Sequence, residues 1–393
     1  MKLKLTLIIC VIFISVHVFA QSSVENILQE IEKNNTTLSA LRLKVDADKL
    51  RNKTEIYLQN PEVEFNYLWG NPSSIGNRTD ISVTQSFDFP TAYSYKNQIS
   101  DLKNDQLMLE YEKQRKDILL ETKMICNELI YLNKIIVEYG LRIENAKYLV
   151  DLYQTKFENG EAIILDYNKA RLGLLDVTKK AESFKLDRDV KLAELARLNG
   201  GNAVLFTKSD FSNAILSENF DNWYSEMEQY NPVLSWLKLE TEISQKNEKL
   251  NSALNLPKLQ TGYMSEKVVG EHFQGVTLGV VVPLWENKNK VKQARANTDA
   301  SEAEVADNKI QFYNYLKGLH AKAILLQRNL SDYQEEIASC NNTELAAKAL
   351  NAGEISMIEY IMEIAIYYES VDNMMEIEKE LNQTLAELNQ FNL

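Results

Sequence analysis

The sequence predicts a mixed α/β protein in which long coiled-coil helical hairpins alternate with short β-hairpins. Its six prolines all fall within 61–90 and 232–283, and since proline breaks helix interiors, the tracts outside those segments are free to form long helices. Apolar residues in these tracts recur in alternating steps of four and three, which indicates helices packed along a seam. Landmarks of the first half also recur in the second half, which indicates a tandem duplication.

Residues 1–20 have the pattern of a secretory signal peptide. Lys2 and Lys4 form a short basic region, Leu5–Val16 is an almost unbroken apolar core, and Ala20 ends a small-residue cleavage site. The apolar run is short for a membrane-spanning helix, which needs about 20 residues. We therefore predict that the segment is removed on export. No lipobox precedes a cysteine at the cleavage point, so a lipid anchor is not expected.

The charge balance narrows the range of partners. The chain carries 43 basic and 56 acidic residues, and two of the basic residues lie in the predicted signal peptide. A protein this acidic is not suited to bind nucleic acid or a generally anionic surface. We expect no nucleic-acid partner.

Reactive side chains are sparse. Only Cys126 and Cys340 lie beyond the predicted signal peptide, so no disulfide framework is expected, and Cys340 falls on an apolar helical stripe, which predicts a buried thiol. His272 and His320 lie 48 residues apart, and no zinc, nucleophile or phosphate-loop motif occurs. The sequence predicts a non-enzymatic protein without a metal or cofactor.

Two apolar stripes define the predicted helices. The first supports an outgoing helix from about Tyr93 to Glu158, followed by a returning helix over Ile163–Asn199. Its members are Ile125, Leu129, Leu132, Ile136, Tyr139, Ile143, Ala146, Val150, Tyr153 and Phe157. The second stripe consists of Leu316, Leu319, Ala323, Leu326, Leu330, Tyr333, Ile337 and Cys340. Both patterns predict coiled-coil packing.

The spacing of landmarks supports the duplication. Pro90 and Gly160 lie 70 residues apart, as do Pro283 and Gly353, and the tetrapeptide Leu-Ala-Glu-Leu recurs at an offset of 193. We predict four segments: a signal peptide (1–20), a first repeat (21–201), a linker (202–216) and a second repeat (217–393).

Each predicted repeat contributes one β-hairpin. Alternating side chains and intervening turns predict strands at about 62–69, 79–87, 258–265 and 273–282. Their length suits tilted strands that cross a bilayer, although soluble hairpins would show the same pattern. Aromatic residues cluster near the strand ends, where a membrane-interface girdle would lie: Trp69, Tyr93, Tyr95, Tyr263, Phe273 and Trp285.

The strand count has a consequence for assembly. A membrane barrel needs about eight strands, and an open sheet edge cannot face lipid. Four strands would therefore have to be pooled with those of other copies, and three chains would supply twelve.

The two predicted helical hairpins have matching tips. The first reads FENGEAIILDY over 157–167, and the second reads LNAGEISMIEY over 350–360. In each, a glycine suits the positive φ that ends the outgoing helix, and a glutamate lies where the returning helix begins.

Together these features resemble the TolC family of outer-membrane efflux proteins. The segment VVPLWENKNKVKQARA (281–296) is similar to that family's strand-to-helix junction, and FDFPTAYSYKNQIS (87–100) is its degraded counterpart. The resemblance covers residues 24–391. It implies a homotrimer whose twelve strands form a barrel in outer-membrane lipid. It also implies that the helices form an α-barrel in the periplasm, where the tips meet a periplasmic adaptor protein coupled to an inner-membrane pump.

The resemblance also implies site residues. Members close the tunnel with an Asp-x-x-Asp pattern on the second hairpin; here Glu359 matches the first acid, whereas Met362 occupies the second position. The implied gate residues are Glu359, Tyr360, Glu363, Asp166 and Tyr167. The implied adaptor-docking residues are Gly160, Glu161, Gly353, Glu354 and Ser356.

Two alternatives compete with an efflux duct. A duct of the same kind could serve type I protein secretion, because the cargo is chosen largely by the pump. A soluble periplasmic coiled-coil scaffold or adaptor is a different class, but an adaptor would need one helical hairpin flanked by small β-domains rather than two duplicated sets.

Overall fold

The computed structural model describes residues 23–54, 56–212, 216–217 and 219–393. The predicted signal peptide and part of the predicted linker therefore lie outside the described residues. Within these residues the chain is mostly helical, with one four-stranded sheet.

The elements follow the order that the sequence predicts. The helices are α1 (Val24–Asn34), α2 (Thr36–Thr54), α3 (Pro90–Glu158), α4 (Ile164–Leu198), α5 (Phe220–Met227), α6 (Pro232–Ala253), α7 (Lys290–Ser339), α8 (Thr343–Ala352) and α9 (Met357–Leu388). The strands are β1 (Glu62–Leu68), β2 (Arg78–Phe87), β3 (Lys258–Val268) and β4 (Glu271–Val281). The order helix, two strands, outgoing helix and returning helix occurs twice.

The first helical hairpin agrees closely with its prediction. Helix α3 runs for 69 residues and begins at Pro90, three residues before the predicted start. Proline suits the first turn of a helix, because its ring presets φ and its missing N–H would have no partner there. Helix α4 ends at Leu198, next to Gly200 and Gly201, both of which have positive φ.

The second helical hairpin differs from its prediction, because its outgoing helix is interrupted. Helix α7 ends at Ser339, and the Oδ1 of Asn341 accepts hydrogen bonds from the backbone N–H and the hydroxyl of Thr343, where α8 begins. Asparagine favours such local bonds over the helix interior. Cys340 therefore leaves the apolar stripe and is exposed, so the prediction of a buried thiol is wrong.

Cys126 has the opposite environment. It lies in α3 and is fully buried, and this burial raises the pKa of its thiol to about 12. A thiol that stays protonated is a poor nucleophile and metal ligand. Cys126 therefore acts as a small apolar core residue.

The strands form one antiparallel sheet in the order β1-β2-β3-β4. Strand β2 of the first β-hairpin pairs with strand β3 of the second, with Val83 opposite Tyr263 and Phe87 opposite Leu259. The pairing continues through β3 and β4, where Tyr263 lies opposite Val276. The sheet therefore combines both predicted repeats.

The described chain divides into two compact units. One comprises 23–33 and 125–212, and the other comprises 34–124 with the described residues from 216 onward. The second unit has a core of Tyr224, Leu316, Ala323, Leu326, Leu381, Leu385 and Leu388. None of the described helices is both long and apolar enough to cross a membrane.

Candidate functional site

The first tip is a tight turn between α3 and α4. Gly160 has φ of 76°, and the N–H of Glu161 donates to the carbonyl of Lys156 at 2.7 Å. This bond spans five residues, as in a Schellman cap, and satisfies a carbonyl that the helix end leaves free. Gly160 and Glu161 are both exposed.

The second tip repeats this geometry between α8 and α9. Gly353 has φ of 74°, and the N–H of Glu354 donates to the carbonyl of Ala349 at 2.9 Å. A Cβ on Gly353 would meet nothing within 4 Å, so the backbone conformation, not space, favours glycine here. Glu354 is exposed.

Ser356 and Glu359 form a capping box at the start of α9. The N–H of Glu359 donates to the Ser356 hydroxyl at 3.3 Å, and the N–H of Ser356 donates to the Glu359 carboxylate at 2.7 Å. Each side chain satisfies a backbone donor that the helix start leaves free. The Ser-x-x-Glu spacing carries this signal in the sequence, although the capping box is not among the predicted features.

The capping box also affects ionisation. The hydrogen bond from the Ser356 backbone, followed by that from its side chain, lowers the pKa of Glu359 below its ordinary value. A lowered pKa means that the ionised form stabilises the folded chain above the usual glutamate range, and that this stabilisation is lost as the pH falls through the lowered pKa. Glu359 therefore stays negatively charged at neutral pH.

The other predicted gate residues of the second hairpin face different surroundings. Tyr360 is 2% exposed and packs within the chain, whereas Met362 is 63% exposed. Glu363 is exposed and lines a cavity of about 410 Å³ beside the interruption between α7 and α8. Of the predicted gate residues on α9, Glu359 and Glu363 are therefore the two whose carboxylates are exposed to solvent.

Asp166 and Tyr167 lie in the first turn of α4. The Asp166 carboxylate is 3.6 Å from the Lys169 ammonium, and the Tyr167 ring stacks on Phe157 across the tip with a centroid distance of 6.3 Å. Burial, and then the Asp166 carboxylate, raise the pKa of Tyr153. The stacking of Phe157 on Tyr167 joins α3 and α4 near the first tip.

One face of the sheet is mainly apolar and the other is mainly polar. The register places on one face Val63, Phe65, Tyr67, Ile81, Val83, Phe87, Leu259, Tyr263, Val276, Leu278 and Val280. The same face also carries the polar residues Thr79, Gln85, Thr261, Ser265, Lys267, His272 and Gln274. The opposite face carries Glu62, Glu64, Asn66, Asp80, Ser82, Thr84, Ser86, Gln260, Thr277 and Glu266, together with the apolar residues Leu68, Met264, Val268, Phe273 and Val281. The apolar face is uncovered in the described chain: Val276 is 83% exposed and Leu278 85%.

No group of three or more histidine, cysteine, aspartate or glutamate side chains is placed to hold a metal ion in the part of the chain that the structure describes. The candidate site consists of two exposed tips, a capped carboxylate and a two-faced sheet.

Comparison with known proteins identifies the fold. The sequence matches no protein-family model and no curated protein sequence, so solved structures carry the comparison. The outer membrane channel CmeC of Campylobacter jejuni is similar with a TM-score of 0.75 at 14% identity, over 94% of this chain and 85% of that chain.

Two further solved structures are similar to this chain. The outer membrane protein VceC of Vibrio cholerae has a TM-score of 0.74 at 10% identity, over 94% of each chain. The open-state MtrE outer membrane channel of Neisseria gonorrhoeae has a TM-score of 0.72 at 10% identity, over 94% of this chain and 88% of that chain. The chain therefore has the TolC-like fold of outer-membrane channels.

Proposed function

We propose that this protein is the outer-membrane exit duct of a tripartite efflux system. The two-faced sheet carries the proposal: its apolar face is uncovered, and β1 and β4 each have one edge that pairs with no described strand. An exposed apolar face with open edges promotes uncontrolled association in water. A membrane would cover the apolar face, and further strands would pair with the open edges.

Three copies joined edge to edge would supply twelve strands and close a barrel. The apolar face would meet lipid, and the polar face would line a water-filled lumen. Trp69 and Trp285 are 80% and 79% exposed and lie near strand ends, where an aromatic girdle contacts the lipid headgroups. The cellular location that follows is the outer membrane, with the helices in the periplasm.

The helical tips are the surface for the remaining partners. Gly160 and Glu161 on one hairpin, and Gly353, Glu354 and Ser356 on the other, would contact a periplasmic adaptor that links the duct to an inner-membrane pump. Transport through such a duct is passive, so the protein needs no catalytic residue or cofactor. The pump would choose the cargo.

The gate would lie beyond the second tip. In a trimer, Glu359 from each chain would place three like charges at one level of a narrow passage, where they attract cations. Glu363 would add a second ring of charge one turn further along α9. Tyr360, buried in the chain, would hold α9 in position, and Asp166 and Tyr167 would belong to the outer ring that moves on opening.

The oligomeric state and location test the duct proposal directly. We expect the mature protein to fractionate with the outer membrane and to run as three chains per particle in mild detergent, measured by light scattering. Recovery from the soluble periplasm would favour a coiled-coil scaffold instead. A monodisperse monomer in detergent would contradict the twelve-stranded barrel.

Replacing Glu359 with Gln tests the gate. We expect trivalent cations on the periplasmic side to block the channel at concentrations about five-fold higher than for the unchanged protein, because three charges are lost at one level. The measurement is single-channel conductance in a planar bilayer. Gln retains a side-chain oxygen that can accept the Ser356 N–H, so the cap should survive.

The control for this experiment is Ser356→Ala. It weakens the capping box but keeps the Glu359 charge, so blockade should stay within about two-fold of the unchanged protein. Equal blockade of Glu359→Gln and the unchanged protein would remove Glu359 from the gate and leave the duct proposal standing.

A further inference from the structure

A second site lies within the larger compact unit, beside the interruption between α7 and α8. The cavity of about 410 Å³ noted above is formed by the last turns of α7, the beginning of α8 and the first half of α9. Sites for small molecules typically have volumes of about 300–1,000 Å³. Of the residues that line this cavity, only Glu363 belongs to the tips and the gate described above.

The charged side chains of the cavity are all acidic. They are Asp332, Glu336 and Glu363, and no lysine, arginine or histidine is among the lining residues. None of the three carboxylates forms an ion pair within the described residues. Carboxylates that are grouped without a counter-charge attract a cation.

The surrounding chain does not supply the missing positive charge. Residues 331–372 contain nine acidic residues and one basic residue, Lys348. Arg328 lies one turn before Asp332 on α7. Lys348 and Arg328 are both exposed, and within the described residues neither lines the cavity or pairs with a carboxylate. The excess of negative charge is therefore shared by the whole region around the cavity.

The cavity also has an apolar and aromatic lining. Ile337, Ile364 and Ile366 contribute aliphatic surface, and the rings of Tyr333 and Tyr367 line it as well. A tyrosine ring can hold a cation against its face, and aliphatic side chains favour the apolar body of a ligand. A metal ion would use the carboxylates alone, but no three acidic, histidine or cysteine side chains of the described residues are placed to hold one. The lining therefore favours an organic cation.

We propose that this cavity binds an organic cation with an apolar body, of the class of quaternary ammonium and phosphonium compounds. Asp332, Glu336 and Glu363 balance the charge of the cation, and the isoleucine and tyrosine side chains contact its apolar groups. This binding does not depend on the proposed function, although Glu363 belongs to both sites.

Cys340 provides a reporter inside the cavity. Its thiol lines the cavity, is exposed, and donates a hydrogen bond to the Glu336 carboxylate at 3.7 Å. A bound cation would cover this thiol and slow its reaction with N-ethylmaleimide. Cys126 is fully buried, so it should stay unlabelled with or without the cation and serves as an internal control.

Calorimetry and thiol labelling on the mature protein in non-ionic detergent test the site. The probe is tetraphenylphosphonium, and tetraphenylborate is its matched anion of similar shape. We expect tetraphenylphosphonium to bind at one saturable site per chain, after its heat of mixing with detergent alone is subtracted. At about ten times its dissociation constant it should slow the labelling of Cys340 about ten-fold, measured by peptide mass spectrometry. Tetraphenylborate should do neither, because the carboxylates repel it.

Two substitutions test the lining. Asp332→Asn should weaken the binding of tetraphenylphosphonium about five-fold, because it removes one carboxylate from the cavity. Tyr367→Leu keeps an apolar side chain but removes the aromatic ring, and it should weaken binding about three-fold. Glu335→Gln is the matched control for the charge, because Glu335 is also an exposed acidic residue of α7 but does not line the cavity.

The proposal is overturned if tetraphenylphosphonium shows no saturable binding, if both probes bind equally, or if Asp332→Asn and Glu335→Gln bind the cation equally. A Cys340 thiol that does not react even without probe would mean that another copy of the chain covers the cavity, which would also overturn the proposal. A chain that binds tetraphenylphosphonium but does not enter the outer membrane would overturn the duct function and leave this site in place. A conducting channel that does not bind it would overturn this site alone.

Discussion

Replacing Val276 with Arg is expected to abolish assembly in the outer membrane. Val276 lies in the middle of β4 on the apolar face and is 83% exposed. A charge at the lipid-facing midplane of a barrel costs about 2–4 kcal/mol, and a trimer would incur this cost three times. We expect the variant to be lost from the outer-membrane fraction and to accumulate as misassembled or degraded chain, measured by fractionation and immunoblotting.

The neighbouring residue provides a matched control. Thr277 lies on the polar face, opposite Gly262, and is also exposed. Because the polar face would line a water-filled lumen, Thr277→Arg should assemble normally and change only conductance. Equal assembly of the two variants would show that the apolar face does not contact lipid. A soluble scaffold would give that result.

Replacing Gly353 with Val is expected to reduce export about ten-fold while leaving outer-membrane insertion intact. At φ of 74° the residue is in the left-handed region, where a β-branched side chain is strongly disfavoured. The turn must change shape, and with it the position of Glu354 and the capping box that starts α9. Cell-based efflux and adaptor cross-linking measure the two consequences.

Gly318→Val is the control for that experiment. Gly318 lies inside α7, and an added Cβ would meet nothing within 4 Å at either glycine, so the two substitutions differ in backbone conformation rather than in steric contact. Valine is tolerated in a helix and is somewhat better there than glycine. We expect normal export from this variant. Normal export from Gly353→Val as well would mean that the second tip does not contact the adaptor.

Local sequence determined the elements and the chemistry of their ends. Proline-free tracts with an apolar seam predict α3 and α4 to within a few residues, because helix formation depends on propensity and periodicity that neighbouring residues carry. The alternation of side chains over residues 62–68 predicts β1, because this pattern too is carried by neighbouring residues. Gly160 and Gly353 were recognisable because few other residues adopt positive φ. The Ser356–Glu359 capping box was equally local and could have been found.

Tertiary structure alone decided how these pieces combine. The pairing of β2 with β3 brings together segments that are distant in sequence, and such pairing depends on register between strands rather than on either strand alone. The apolar seam continues in the sequence through Cys340, yet the helix ends one residue earlier, because the hydrogen bonds of Asn341 prevail locally over the periodicity.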